Sequence, residues 1–288
     1  MESQLVFRDE KEINRLQIQE KVFIRYERPV FCQLFEGRSG LRVLDIGCND
    51  GEKTVRRFDS DAVQTVIGLE YCEELAARAQ KKYGGKKYHF YPCDAESDTF
   101  ATEIKAYMSR NGIACFDIIY LSFILNNIKN TSQLFLNLKK LLAPDGTVVI
   151  LEVNDSNSYL TNDEQGLFRD FLEILEKDPF GGNRYAGKNL ERMLEECGYS
   201  SPHVHHDRIV ASVGNLEMKH DLLEIFFSYL PDDVKILRES DPGNEEYGRW
   251  NIWLENHFEQ LHELVLQNDT ELSIGICLMT CKGEVQEP

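Results

Sequence analysis

The stretch Leu41 to Gly51, LRVLDIGCNDG, holds the most chemically pointed spacing in the chain. An apolar run of strand length ends on Asp45, and Gly47, Asn49 and Gly51 follow at two-residue intervals. The pattern predicts a strand whose carboxyl end opens into a ligand-bearing turn. A ligand pressed against that turn requires positions without a side chain, which Gly47 and Gly51 supply, and Asn49 tolerates a left-handed backbone. Asp45 can fix the turn or meet a ligand's ammonium group. A dinucleotide turn would read G-x-G-x-x-G, and a Walker loop would place Lys and then Ser or Thr directly after its last glycine. Glu52-Lys53-Thr54 is a near miss, with an acid intervening and the glycines wrongly spaced. Taken alone, the stretch is also compatible with an ordinary turn between a buried strand and a helix.

Further acids stand where strands should end. Thr65 to Glu70 reads as a second strand, and Glu70 lies 70 − 45 = 25 residues beyond Asp45. That is close to the spacing at which an acid in nucleotide-binding folds accepts hydrogen bonds from ribose hydroxyls. Tyr88 to Ala95 predicts a third strand running into a loop at Asp94, and Phe116 to Ser122 a fourth, followed by FILNNI. A helix from Leu134 to Leu142, stopped by Ala143-Pro144-Asp145-Gly146, leads into a fifth strand from Thr147 to Val153.

This ordered series resembles the class I, Rossmann-like S-adenosylmethionine-dependent methyltransferases, whose first motif alternates an acid with three glycines. Asp45, Gly47, Asn49 and Gly51 match it, with asparagine in place of the middle glycine. The resemblance covers roughly Leu41 to Val213 and the last strand. It implies S-adenosyl-L-methionine as cofactor, with Asp45, Gly47, Cys48, Asn49, Gly51, Glu70 and Ser122 as binding candidates. It gives Asp94 the adenine amino group and Ala95 a backbone donor. In such enzymes an N-terminal helix packs over the cofactor, which makes Arg25 and Tyr26 candidates for the methionine carboxylate or the acceptor site. Members often carry a His after the fourth strand, whereas this chain has Asn126 and Asn127. An amide can orient an acceptor but cannot act as a general base near neutral pH. With Tyr159 these form the catalytic candidates. Neither an NPPY-type motif nor a Pro-Cys pair stands at the fourth strand's end, which counts against the amino-directed and cytosine-directed nucleic-acid classes.

The composition sets the outer bounds. A chain of 288 residues with 42% hydrophobic content has ample material for a packed interior. Its 32 basic and 49 acidic residues leave a net charge of −17, which repels phosphate backbones. The start, MESQLVFRDEKEINRL, lacks the apolar core of a signal peptide, and no apolar run approaches the roughly 20 residues that span a bilayer. The expectation is a cytoplasmic protein without a membrane partner. Eight scattered cysteines without a CxxC pair read as reduced thiols. His203, His205 and His206 invite a metal reading, but on a strand His206 would oppose the other two, so no metal is expected.

The remaining elements frame the site. Glu10 to Phe35 has helical periodicity, kinked or broken near Pro29, and Lys188 to Cys197 forms another amphipathic helix. A strand is expected near Val204 to Val213, and Glu271 to Cys281 supplies the last one. Between them, MKHDLLEIFFSYL and YGRWNIWLENHFEQLHELVL predict two helices joined by the Pro- and Gly-containing stretch from Pro231 to Gly243. The expected fold is α/β, a doubly wound, seven-stranded, mostly parallel sheet with a helical cap insertion before the last strand. Its parts are an N-terminal helical cap (1–35), a methyltransferase core (36–211 and 271–288) and the insertion (212–270), either a lid or a dimerisation element. Segment 212–269 carries 13 acidic and 4 basic residues, which makes it a poor nucleic-acid clamp and favours a neutral or cationic acceptor. As a lid, it would line a small-molecule pocket with Phe226, Phe227, Tyr229, Trp250 and Trp253. The expected activity is methyl transfer to a small molecule by in-line displacement. The alternatives are a catalytically degenerate cofactor-binding module, and an RNA or protein methyltransferase.

Overall fold

The computed structural model describes residues 10–283, so the parts of the N-terminal cap and core expected at 1–9 and 284–288 lie outside the described residues. The elements in chain order are α1 (Glu10–Phe35), β1 (Leu41–Ile46), α2 (Glu52–Phe58), β2 (Val63–Glu70), α3 (Glu73–Tyr83), β3 (Tyr88–Pro92), α4 (Phe100–Arg110), β4 (Phe116–Ser122), α5 (Thr131–Lys139) and β5 (Leu142–Val153). There follow β6 (Tyr159–Leu160), α6 (Leu167–Lys177), α7 (Leu190–Glu196), β7 (Ser200–Ala211), α8 (Leu216–Phe226), α9 (Leu230–Ser240), α10 (Glu245–Leu266) and β8 (Leu272–Lys282).

The strands form one eight-stranded sheet in the order β3-β2-β1-β4-β5-β8-β6, with β7 also pairing β8. Strands β1 to β5 pair in parallel, and β6 runs antiparallel to β8. The fold is therefore α/β with a mostly parallel sheet. The count exceeds the expected seven by the two-residue β6, too short for sequence periodicity to register. The order reverses between β1 and β4, and at such a switch point the carboxyl ends of the strands part to leave a crevice.

The chain divides into two compact units. One consists of Ile24–Glu152, Ala186–His206 and the chain from Cys277. Its core joins Leu44, Ile46, Ile119 and Leu121 to Phe100, Phe135 and Leu138. The near-continuous burial of β1 and β4 is that of strands covered on both faces. The other unit takes in the chain as far as Phe23, Val153–Tyr185 and Asp207–Ile276. Here α6 and α8 to α10 pack through Phe171, Leu223, Phe227, Val234 and Leu261, all fully or almost fully buried, and the Phe171 and Phe227 rings stack at 4.4 Å. These boundaries differ from cuts at 35, 211 and 270.

Several sequence expectations change. Helix α1 runs unbroken through Pro29, whose ring stands on an exposed position. The stretch from Pro231 to Gly243 contains α9 rather than a bare link, because Pro231 sits in its first turn, where a missing N–H costs nothing. Helices α4 and α6 were not anticipated. Strand β5 begins at Leu142, with Asp145 at φ 62° absorbing the irregularity that the Pro-Asp-Gly sequence suggested as a helix stop. No helix among the described residues is long and apolar enough to cross a membrane.

Candidate functional site

The carboxyl ends of β1, β2 and β4 bring most of the predicted residues together. Past Ile46 the chain turns through Gly47 (φ 77°), Asn49 (φ 51°) and Gly51 (φ 79°) into α2. The left-handed conformation explains why glycine and asparagine occupy these positions. A Cβ on Gly47 would stand 2.4 Å from Ile124 Cγ2, and one on Gly51 2.9 Å from Ala79 and Phe90. Backbone bonds hold the turn: Gly47 and Cys48 both donate to the Leu69 carbonyl on β2, and Gly51 donates to the Cys48 carbonyl. The Asn49 side chain accepts from Asp50 N at 2.7 Å.

Asp45 is buried, and its carboxylate accepts from the Thr54 hydroxyl at 2.6 Å. Of the two roles open to it, fixing the turn and the helix after it is the one with a visible partner. Glu70 ends β2 and receives Asn49 N at 2.9 Å on one carboxylate oxygen and Cys72 N at 3.0 Å on the other. A carboxylate offers about four lone-pair sites, so these bonds leave acceptor capacity for hydroxyl groups. Burial pushes the Glu70 carboxyl up from its ordinary range, and the backbone N–H groups of Cys72, Asn49 and Tyr71 partly offset this. Burial, with the Asp45 and Glu70 carboxylates next in weight, drives the Cys48 thiol well above its usual pKa, so it stays neutral. Asp94 is exposed and closes a tight turn by accepting from Glu96 N at 2.9 Å, with Ala95 half-buried beside it.

After Ser122, Phe123 takes φ 53°, an outlier for a bulky aromatic residue. The short turn Leu125–Asn127 follows, anchored by Leu125 N donating to buried Glu152 at 2.7 Å. Ile124 thus covers Gly47, and Asn126 and Asn127 stand just past it, the Asn127 amide donating to Asn126 Oδ1 at 3.1 Å. Tyr159 belongs to the other unit, where its hydroxyl donates to Glu271 at 2.5 Å and its ring lies under the Arg208 guanidinium. Arg25 is exposed and stacks at 5.2 Å on half-buried Tyr26. His203, His205 and His206 are all exposed along β7. Among the described residues no group of three or more His, Cys, Asp or Glu is placed to hold a metal ion. Of the aromatic residues expected to line an acceptor pocket, Phe226, Phe227 and Trp250 are consumed in packing, while Tyr229 and Trp253 stay half-buried.

Some residues of the site escaped the sequence reading. Thr54 could have been found from its place three residues after Gly51, at the start of a helix. Tyr71, 55% exposed directly after Glu70, offers an aromatic face at the site's rim. Glu152 gives no sequence signal, being an acid inside an otherwise apolar strand.

A model of the methyltransferase domain family matches residues 18–203, well over half of the 288 residues, and the chain belongs to that family. Comparison with curated proteins finds no match. Among solved structures, the YcgJ protein of Bacillus subtilis is similar, with TM-score 0.54 and 16% identity, over 90% of this chain and 99% of that one. Phosphoethanolamine N-methyltransferase 2 of Haemonchus contortus, solved in complex with S-adenosyl-L-methionine, has TM-score 0.52 and 16% identity over 99% of this chain and 61% of its own. The cyclopropane synthase MmaA2 of Mycobacterium tuberculosis has TM-score 0.50 and 16% identity, over 96% and 88%. At these identities the likeness is one of fold.

Proposed function

We propose that this chain is an S-adenosylmethionine-dependent methyltransferase acting on a small molecule. The observation that carries the reading is the pairing of a turn at the sheet's switch point, with Gly47, Asn49 and Gly51 in the left-handed region, with a half-buried acceptor, Glu70, at the end of the neighbouring β2. The residues present fit the cofactor in their chemistry: Glu70 retains acceptor capacity for hydroxyl groups at the end of β2, beside the glycine turn that its carboxylate holds through Asn49 N. When bound, S-adenosylmethionine supplies an activated methyl group on a sulfonium. The Gly47–Gly51 turn would take its amino-acid portion, Glu70 its ribose hydroxyls, and Asp94 with Ala95 its adenine, against which Tyr71 can stack. Asn126 and Asn127 would orient the acceptor from the end of β4 without taking its proton, which would pass to solvent as the methyl–heteroatom bond forms and the methyl–sulfur bond breaks, and Ser122 would be a further polar contact.

Holding two reacting groups in line can contribute about 7 to 11 kcal/mol, so a dedicated base is not required. The acidic balance of segment 212–269 favours a neutral or cationic small acceptor over a nucleic acid, and a homodimer contact is a further use open to it. The experiment is to incubate the full chain with S-adenosylmethionine and pooled small amines, alcohols and thiols, and separately with total RNA and protein, following S-adenosylhomocysteine. Release with the small molecules alone is expected. Release only with RNA or protein would overturn the acceptor class, and cofactor binding without release from any pool would favour the degenerate binding module.

A further inference from the structure

Helix α2 opens at Gly51, so its orientation sets the cofactor turn, yet it is only seven residues long. Isolated helices shorter than about 12 to 15 residues are marginal in water, so what α2 is tied to fixes its position. Two polar ties leave it one turn apart on one face. The first is Thr54 to Asp45 on β1. The second is Arg57, whose guanidinium donates to Glu27 on α1. Glu27 is fully buried, and its other carboxylate oxygen accepts from the Tyr120 hydroxyl on β4. Tyr120 stands directly opposite Asp45 in the β1–β4 ladder, two residues before the strand's end at Ser122. Arg57 lies 4.8 Å above the Tyr120 ring, and Phe31 meets Phe58 and Tyr120 edge-on at 5.3 and 5.4 Å. One carboxylate therefore joins α1, the helix that opens at the glycine turn, and the strand that ends beside it.

We propose that Glu27 is a positioning residue for the S-adenosylmethionine site, fixing α2 through Arg57 and the end of β4 through Tyr120. The inference rests on the cofactor reading above. Nothing in it requires Glu27 to touch the cofactor; it acts through two elements whose ends do.

The test measures S-adenosylhomocysteine affinity by calorimetry and the thermal midpoint on the full chain. The variants are Glu27→Gln, Tyr120→Phe and the double variant Glu27→Met with Arg57→Met. Glu27→Gln strands a buried guanidinium, so its midpoint falls and its affinity falls at least tenfold. The double variant removes both members of the buried pair, and such replacements are often neutral or stabilising. Its midpoint recovers while its affinity stays at least tenfold low, because the tie is gone. Tyr120→Phe loses affinity with α2 still tied, by a smaller factor. The proposal is overturned if affinity follows the midpoint in every variant, since the junction is then merely structural, or if Glu27→Gln binds within twofold of wild type. Failure of the wild-type chain to bind S-adenosylhomocysteine would instead remove the cofactor reading, and the proposal with it.

Discussion

Glu70 is the residue at which the proposed chemistry is most exposed to test. Its carboxylate accepts backbone N–H groups from Asn49 and Cys72, and it accepts ribose hydroxyls most strongly while ionised, since protonation turns one oxygen into a donor and removes the charge. Burial raises its pKa, so wild-type affinity for S-adenosylhomocysteine should fall as pH is lowered toward the carboxylate range, and Glu70→Gln should show no such slope in calorimetry. Glu70→Ala should cost about 1.5 to 3 kcal/mol of binding, the usual contribution of hydrogen bonds to a charged group. At Gly47, both φ 77° and the 2.4 Å approach to Ile124 oppose any side chain. Gly47→Ala should lower stability by about 1 to 3 kcal/mol and weaken the cofactor further, measured by denaturant unfolding and calorimetry together. The left-handed turn at Gly47, Asn49 and Gly51 was legible in the sequence because its backbone is local and sterically forced. Glu27 was not, although a charged residue set between Phe23 and Phe31 on an apolar helical stripe was a signal. Its partners Arg57 and Tyr120 lie 30 and 93 residues away, and sequence spacing carries no information about such ties.

Among the elements, β1 to β4 were legible as short apolar runs bounded by turn residues and acids, and α1 as a long run of helical period. Helix α6 has Leu167, Phe168, Phe171, Ile174 and Leu175 at helical spacing, a signal that the sequence analysis leaves unused. Helix α9 was misread because proline marks the start of a helix as well as its end. These two helices carry a testable feature. Asp178, just past the end of α6, and Asp233, in the first turn of α9, are both buried. Burial first, and then the facing Asp178, push the Asp233 carboxyl up to about 8, with Asp232 and Glu12 adding to it. Burial likewise raises Asp178, against hydrogen bonds from Phe180 and Gly181 N–H and from Asp233. The two therefore share a proton at neutral pH. A carboxyl whose folded pKa is raised contributes full stability below its unfolded value near 3.8 and loses it as pH rises through about 8. Thermal melts should thus show wild-type stability declining from pH 4 to pH 8. Asp233→Asn should flatten that slope and be the more stable by on the order of 2 kcal/mol at pH 8. A parallel decline in the variant would locate the titration elsewhere.

At the scale of the whole molecule, the parallel order β3-β2-β1-β4-β5 gives the reason for the site's location, because the reversal between β1 and β4 opens the sheet where the glycine turn stands. The fold was legible at this level from the sequence of acids at strand ends. The acceptor was not, because the aromatic residues that suggested a pocket serve packing, as Phe227 does against Phe171. The central claim is that the carboxyl edge binds S-adenosylmethionine through the Gly47–Gly51 turn and Glu70. A crystal structure of the full chain with S-adenosylhomocysteine tests it most directly. The account predicts the ribose hydroxyls within hydrogen-bond distance of the Glu70 carboxylate and the amino-acid portion against Gly47; a ligand bound elsewhere, or none at saturating concentration, would contradict it.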